Sequence, residues 1–474
     1  MTLLVSAPAG YQEERRYVLG VVLGDWLGLD WSLVTHERPD VRIGLAEDPD
    51  GAAVTTPDAL FSTAPDQWLT DSALPSRPLP RRRVGQAAAG VLDAEEQLPV
   101  LYGGSSPPSA NLAEQCEQGV RLDVDVFGSA FAMLTRYEEV VMAAARDTYD
   151  RFPLASTLAF AEGFVESPVV DAYVALLAAA LGRVWPRMEF RRHRYQVMLT
   201  HDVDDPLSTV GRRPRMLARQ FAGDLVRRRD VGLALRRVRA VVDARRGRYD
   251  TDPNNTFEFL MDVSERHSLR SSFYFLARGD ADPAAPRYQL FDHPWVQDLM
   301  RRVHRRGHEI GLHAGFGTYR DAAATAEEFD RLRTAAEGQG IAQESWGGRQ
   351  HYLQWRNPHT WRNWGAAGLK YDCSVAFSEA VGFRTGTSRE FPVFDLLART
   401  PLDLVEKPFQ VMDVSLFGHM SLVPDDAARA TLRIAQQCRR YGGTIGILWH
   451  NDEVLRTARE KHWYEELIAT VAAL

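Results

Sequence analysis

Thr200-His201-Asp202-Val203-Asp204-Asp205 closes a short apolar run, Tyr195 to Leu199, and no other stretch of the chain says as much about its fold. A run of strand length that ends in carboxylates is not explained by folding alone. An ionised carboxylate beside a core costs free energy unless a cation or several donors meet it. A cation is therefore expected at this strand end. Side chains alternate along an extended strand, so Asp202 and Asp204 share one face and His201 and Val203 the other. Two acids on one face predict a metal site or an acid/base pair; the plainer alternative is an Asp-rich turn before Pro206.

Downstream the pattern alternates. Ser271 to Leu276, His308 to His313, Ser345 to Tyr352, Leu369 to Ser374, Val405 to Val414 and Thr444 to His450 read as strands. Helical periodicity falls near Phe257 to His267, Pro294 to Arg306, Ala324 to Gly338, Pro358 to Ala367 and Asp425 to Tyr441. Repeated β-then-α order predicts parallel strands with helices outside, and about seven such strands suit a (β/α) barrel better than an open sheet. The fold class expected is α/β, with a barrel over residues 191–474 and a separate α/β domain over 1–190. In parallel barrels the chemistry gathers at the carboxyl ends of the strands, where the polar clusters of this chain fall.

Upstream, Tyr17 to Leu27 reads as an amphipathic helix, Trp31 to Thr35, Val41 to Ala46 and Leu98 to Tyr102 as strands, and Phe127 to Ala144 and Val169 to Val184 as apolar helices. The acids of this half, such as Glu138 and Glu139, have the spacing of a solvated helix face, so no catalytic signature is expected there. An insertion at about 211–250 interrupts the β-then-α order: Gly211 to Arg248 carries thirteen arginines against three aspartates at helical spacing. Such a run can steer or clamp a phosphorylated or acidic ligand; the ordinary alternative is a solvated helix face.

At 474 residues, 45% hydrophobic and 25% charged, the chain has the composition of an ordinary globular protein of two or three domains. A net charge of -7 argues against a dedicated nucleic-acid binder. Cys116, Cys373 and Cys438 are widely spaced and form no disulfide framework. The Met1 to Gly10 segment lacks the basic region of a signal peptide, and no window approaches the roughly 18 apolar residues of a membrane span. A cytoplasmic protein without a membrane span is expected.

Further polar groups gather at later strand ends. In Gly307-His308-Glu309-Ile310-Gly311-Leu312-His313, alternation separates His313 from His308, so His313 alone points with the strand-end set. Gly347-Gly348-Arg349-Gln350-His351-Tyr352 puts Arg349 and His351 on one face, and Gly446-Ile447-Leu448-Trp449-His450 delivers His450 after an apolar run. Single histidines are more often core or cap residues than ligands. Several strand ends that each supply Asp, His or Arg point instead to metal-assisted hydrolysis. A divalent ion on one carboxylate and two imidazoles polarises a carbonyl and lowers the pKa of water. A second carboxylate takes a proton from that water, and a histidine across the site protonates the leaving amine.

At these residues the chain resembles the polysaccharide deacetylases of carbohydrate esterase family 4, the nodulation-type deacetylase homology domain. The resemblance covers roughly residues 195–474, in order the first aspartate motif, the GHEIG-x-H strand, the arginine motif and the final Leu-x-His. It is strongest to the Asp-x-Asp branch, where Tyr-Asp-x-Ser follows the arginine motif, here Tyr371-Asp372-Cys373-Ser374. The whole chain, with Asp125-Val-Phe-Gly-Ser-Ala-Phe-Ala-Met-Leu-Thr-Arg-Tyr-Glu-Glu139 upstream, resembles a two-domain subgroup of those proteins. The resemblance implies a distorted barrel with Asp202 as catalytic base, Asp204 and His313 as metal ligands, Arg349 as tether of the base and His450 as general acid. It also places backbone donors for the oxyanion near Gln350 to Tyr352.

One departure stands out. The family carries a second histidine four residues after the first, and here that position is Gly317. Where the family reads Arg-x-Pro this chain reads Arg349-Gln350-His351, so His351 is the expected replacement ligand. His201, a water, or the absence of a stable metal remain the alternatives. Arg384, between glycines in Gly382 to Ser388, is a candidate substrate grip in a lid. Tyr352 and Trp449 are further substrate-binding candidates, Trp449 as one of five tryptophans near the arginine motif and last strand that can stack on sugars. Asp413 is a candidate acid to orient His450. The expected activity is removal of an N-acetyl group from an amino sugar or glycan precursor with a divalent ion, zinc before cobalt or manganese. A catalytically silent carbohydrate-binding scaffold and a hydrolase of cyclic amides are the alternatives.

Overall fold

The aspartate-bearing run folds as the strand Gln196–Val203, with Ser271–Leu276 as a parallel partner beside it. The structure, a computed structural model, describes residues 1–104, 106–107, 109–210, 214–226, 229–277, 290–453 and 455–474. The chain divides into two units. Gln196–Val381, Phe409–Ala435 and Ile445–Leu474 form the C-terminal unit; Met1–Tyr195, Gly382–Pro408 and Gln436–Thr444 form the N-terminal unit. One boundary near residue 190 therefore does not describe the division, because two later segments return to the first unit.

In the C-terminal unit the strands lie in the order Tyr371–Asp372, Gly347–Gln350, Glu309–Ala314, Ser271–Leu276, Gln196–Val203, Thr444–Leu448, Val411–Met412. The ladders from Gln196–Val203 through to Tyr371–Asp372, and that between Val411–Met412 and Thr444–Leu448, are parallel. Among the described residues no ladder joins the two ends of this order. Register places the site: Tyr274 is opposite Asp202, and His313 is opposite Arg349. The glycines before Arg349 permit this pairing. A Cβ on Gly348 would stand 1.8 Å from the Leu312 carbonyl oxygen, and one on Gly347 would enter the Tyr371 ring at 2.4 Å.

Helices follow the strands as their sequence dictates. Pro294–Arg305 starts with proline in its first turn, capped by His293, and buries Val296, Leu299, Met300 and Val303 at helical spacing. Each such side chain contributes about 1.5–3 kcal/mol when fully buried. Ala322–Gly338 is capped by Asp321, which accepts from Ala324 N at 3.0 Å. Its buried Glu328 accepts from Gly315 N at 2.7 Å and so pins the loop that leaves the His313 strand. A small core of Leu353, Ala376, Phe409, Met412 and Leu448, packed with Met198 and Val414, lies among these strands.

The expected strand Val405 to Val414 is broken. Thr400–Glu406 pairs antiparallel with Phe391–Asp395 in the N-terminal unit, whereas Val411–Met412 belongs to the C-terminal unit. Pro408 sits at the break, and with no N–H it cannot continue a ladder. The insertion contributes two helices, Pro214–Val226 and Val231–Ala244; residues 211–213, 227 and 228 of the expected run lie outside the described residues.

The N-terminal unit holds a mixed six-stranded sheet in the order Trp31–His36, Leu3–Pro8, Asp40–Leu45, Ala53–Pro57, Gly119–Leu122, Ala113–Cys116. The helix Val169–Val184 spans the residues its apolar pattern predicts. Asp125 caps the helix Val126–Leu134 through Gly128 N at 2.7 Å and also accepts from Ala59 N and Leu60 N. Burial and the nearby Asp58 nevertheless push its carboxyl up to about 6, against those three donors. Glu139 is not on a solvated face. It is buried between Arg136 and Arg384, and Arg384 grips it with Nε to Oε1 at 2.9 Å and Nη2 to Oε2 at 2.6 Å.

Candidate functional site

Asp202 lies within the first strand and Asp204 just beyond its end, both facing His313 from the third. Arg349 occupies the neighbouring strand, fully buried, and donates from Nη1 to Asp202 Oδ1 at 2.7 Å, from Nη2 to Thr200 Oγ1 at 3.0 Å and from Nε to the Cys373 carbonyl at 2.9 Å. Its guanidinium also stacks 4.3 Å above the Phe409 ring. Burial acts to lower its pKa, and Asp202 beside it more than reverses the effect. One oxygen of Asp202 is thereby committed to a fixed cation; the other, Oδ2, lies 3.7 Å from His313 Nδ1.

The His313 ring is oriented by its strand neighbour, with Nδ1 placed 3.1 Å from the Arg349 carbonyl oxygen. A proton on Nδ1 leaves the Nε2 lone pair for a ligand. Nε2 lies 3.0 Å from Asp204 Oδ1; both atoms are enclosed, and no aligned hydrogen bond joins them. Two buried acceptors this close call for a cation or a proton between them. His351 Nε2 approaches the same Oδ1 to 3.7 Å. Asp204, His313 and His351 each offer one ligand atom, and these atoms lie within 4.8 Å of one another, a set able to hold a metal ion.

The charges agree with that chemistry. Burial raises the Asp204 pKa, but the His351 and His313 charges outweigh it and hold the carboxyl well below the usual range. Burial lowers the His313 pKa, and Asp202 and Asp204 reverse it upward. A proton and a metal ion therefore compete for this imidazole. Asp204 keeps 28% of its side chain accessible, so the centre opens to solvent on that side.

His450 also reaches the centre, its Nε2 3.9 Å from Asp204 Oδ2. Its Nδ1 donates to Asp413 Oδ1 at 2.7 Å, and its backbone N–H to Asp413 Oδ2 at 2.7 Å. Burial works against a charged ring, yet Asp413 raises the His450 pKa well above its ordinary value. Asp413 reaches this position because the chain turns into a helical segment, Val414–His419, directly after it; Asp413 accepts from Val414 N there.

Other candidates lie elsewhere. His201 is fully buried, packed on Phe273, with Nδ1 2.8 Å from the Trp449 carbonyl oxygen; burial lowers its pKa to about 4. It is not in the Asp204 ligand set. Trp449 is fully buried against Tyr464, Trp463 and Phe417, so its ring is core and has no face for a sugar. Arg384 belongs to the N-terminal unit, where Glu139 takes its charge and burial leaves it 4% exposed, so it does not serve as the cation of an open lid. Tyr352 is half-buried, with its ring 4.4 Å from His351 and positive φ of 60°. Gly317, at φ 88°, faces open space and donates its N–H to Gln354 Oε1.

Sequence reasoning missed four supporting residues. Thr200 receives Arg349, and Ser374 Oγ accepts from Gln350 N at 2.9 Å while donating to Asp372 at 2.5 Å. Asn254 donates to the Asp205 carbonyl at 3.0 Å and to its Oδ2 at 3.2 Å, and Asn451 donates to both Asp205 and Asn254 backbone oxygens. The third acid of the first motif thus ties the strand end to the loop after the last strand. The Asp252-Pro253-Asn254-Asn255 turn signature was the available signal for that clamp.

Residues 3–186 match the profile of a family of unknown function, DUF7033. No curated protein matches the chain. Among solved structures, a protein from Mycobacterium smegmatis assigned as a polysaccharide deacetylase has 18% identity and a TM-score of 0.38, with 60% of this chain and 85% of that one covered. PuuE allantoinase has 12% identity and a TM-score of 0.37 over 60% of this chain and 85% of its own. A carbohydrate esterase family 4 pseudoenzyme from Bacillus anthracis has 8% identity and a TM-score of 0.29 over 59% and 60%.

Proposed function

We propose that the C-terminal unit is a distorted (β/α) barrel hydrolase that removes an N-acetyl group from an amino sugar, with a divalent ion held by Asp204, His313 and His351. The observation that carries this reading is the convergence of those three donors between two differently prepared groups, Asp202 tied to Arg349 and His450 tied to Asp413. A divalent ion bound there, zinc by its preference for nitrogen and carboxylate ligands, supplies polarisation of the acetyl carbonyl and acidification of water. Asp202 accepts the proton of the attacking water through Oδ2, since Oδ1 is fixed on Arg349. His450, charged through Asp413, delivers a proton from Nε2 to the nitrogen as the C–N bond breaks. Acetate and a free amine leave. Tyr352 would be the aromatic group that meets the sugar, a reading supported by its place beside His351 and its partial exposure.

Gly317 at the position of the family's second histidine favours a second reading, a fold that binds carbohydrate without hydrolysis. Metal analysis and acetate release separate the two. The full chain equilibrated with zinc and desalted is expected to retain about one ion per chain, and His351→Ala to lose it. The loaded protein is expected to release acetate from N-acetylglucosamine oligosaccharides, and the chelated protein not to. Retention of zinc by His351→Ala overturns the ligand set; zinc retention without acetate release overturns the deacetylase.

A further inference from the structure

The insertion after the first strand carries a surface that the candidate site does not use. Its second helix, Val231–Ala244, is capped by Asp230, which accepts from Leu233 N at 2.8 Å. One face is committed to the protein: Leu233, Ala234, Arg237 and Ala240 are buried, and Arg237 Nε donates to Asp224 Oδ2 of the preceding helix at 2.7 Å. The opposite face is not. Val231, Leu235, Val238 and Val242 are 61%, 63%, 49% and 42% exposed. Steps of four, three and four residues place all four within an arc of about 60° on the helix. Scattered exposed apolar residues need no explanation, but a continuous line of large ones marks an interaction surface.

The charge around the line narrows the partner. Arg239, Arg245 and Arg246 are exposed beside it, Arg239 with its Nε 3.6 Å from Asp243 Oδ2. The run 211–248 has thirteen arginines, three aspartates and no lysine or glutamate, a net +10 inside a chain of net -7. Whatever covers this face must offer an apolar medium and negative charge together. A second copy pairing through the same face brings the same positive charge and is opposed by repulsion. A nucleic-acid backbone meets the arginines and leaves the valines and leucine in water. An anionic bilayer meets both: the apolar line enters the acyl boundary while the guanidinium groups stay among headgroup phosphates. Among the described residues no helix is long and apolar enough to cross a membrane, and an interfacial helix does not need to be.

We propose that the Val231–Ala244 helix is an interfacial docking element that seats this protein on an anionic phospholipid bilayer. The inference stands independently of the reaction assigned to the metal-capable centre. Its test is sedimentation of the full chain with vesicles of phosphatidylglycerol and phosphatidylcholine, beside vesicles of phosphatidylcholine alone. Binding is expected to the anionic vesicles only and to weaken with salt. Leu235→Ser with Val238→Ser, both outside the core, is expected to weaken binding about tenfold or more at unchanged melting temperature. Arg245→Glu with Arg246→Glu is expected to do the same at low salt. Protein left in solution beside anionic vesicles overturns the proposal, and so does equal binding by the Leu235/Val238 variant. A vesicle-independent dimer that this variant dissolves, or tight binding to duplex DNA that it leaves unchanged, also overturns it.

Discussion

Asp413 holds His450 at two points, taking the imidazole Nδ1–H on one oxygen and the backbone N–H on the other, each at 2.7 Å. The double contact fixes both the ring and the strand end that carries it, and the raised pKa of His450 is traced to this carboxylate once burial is overcome. Asp413→Asn is expected to lower kcat by about 10–100-fold, the usual cost of losing such a supporting partner. In the proposed mechanism the acid form of His450 is the active one, so activity is expected to fall as pH rises through its pKa. Removing the negative charge lowers that pKa, so the alkaline limb of the kcat/KM profile moves to lower pH. A limb that stays in place would assign Asp413 to structure alone. On stability the sign is the same: the pair contributes fully below the unfolded histidine value of about 6.5 and is lost as pH rises through the folded one.

Arg349 and Asp202 form an ion pair whose side chains are 0% and 3% exposed. Breaking one partner of such a pair leaves an uncompensated buried charge, a cost of about 3–5 kcal/mol. Arg349→Met is therefore expected to lower urea stability by that amount, and the double variant with Asp202→Asn to recover part of it. Additive losses in the cycle would show that the two groups do not act on each other.

Much of this arrangement is legible in the chain because it depends on local alternation. His308 and His313 separate onto different faces: His308 Nδ1 accepts from Ser271 N, and His313 meets the aspartates. Ser271–Leu276 folds over the residues its pattern gives. His351 is less directly readable. The strand stops at Gln350, and His351 is delivered by a turn in which Tyr352 and Leu353 take positive φ. What fails is whatever depends on distant partners. Pro408 ends a stretch that looks like one strand and is two, and Trp449 looks available for stacking until Phe417, Trp463 and Tyr464 enclose it. Glu139 looks solvated because its counter-ion, Arg384, comes from 245 residues away.

That buried carboxylate gives a prediction for the N-terminal unit. Burial raises the Glu139 pKa, and Arg384 and Arg136 bring it below the ordinary value. Glu139→Gln removes the carboxylate that Arg384 grips, while Arg136 keeps Glu138 at 2.7 Å, and is expected to cost about 3–5 kcal/mol. A depressed folded pKa means the contribution is present above the unfolded value of about 4.3 and is lost as pH falls through the folded one. The gap in urea stability between wild type and variant should accordingly be wide at pH 7 and close on acidification. A gap that does not change with pH would mean that the carboxylate's charge is not what holds this cluster.

Gly348 couples the sheet to the centre most directly. A side chain there meets the Leu312 carbonyl at 1.8 Å, on the strand that delivers His313 and one residue before Arg349. Backbone cannot swing aside as a flexible side chain does, so Gly348→Ala must part the two strands. Overpacking of this kind costs about 1–3 kcal/mol. Since Arg349 reaches Asp202 and His313 reaches the Arg349 carbonyl through this pairing, the separation also disturbs both halves of the site. The expected result is a lower melting temperature together with weaker zinc retention. Gly365→Ala is the control: it lies within the helix His359–Ala367 with nothing within 4 Å of the added Cβ, and is expected to gain about 0.5–1 kcal/mol. If Gly348→Ala matches that control in stability and zinc content, the close approach of these strands is not what positions the centre.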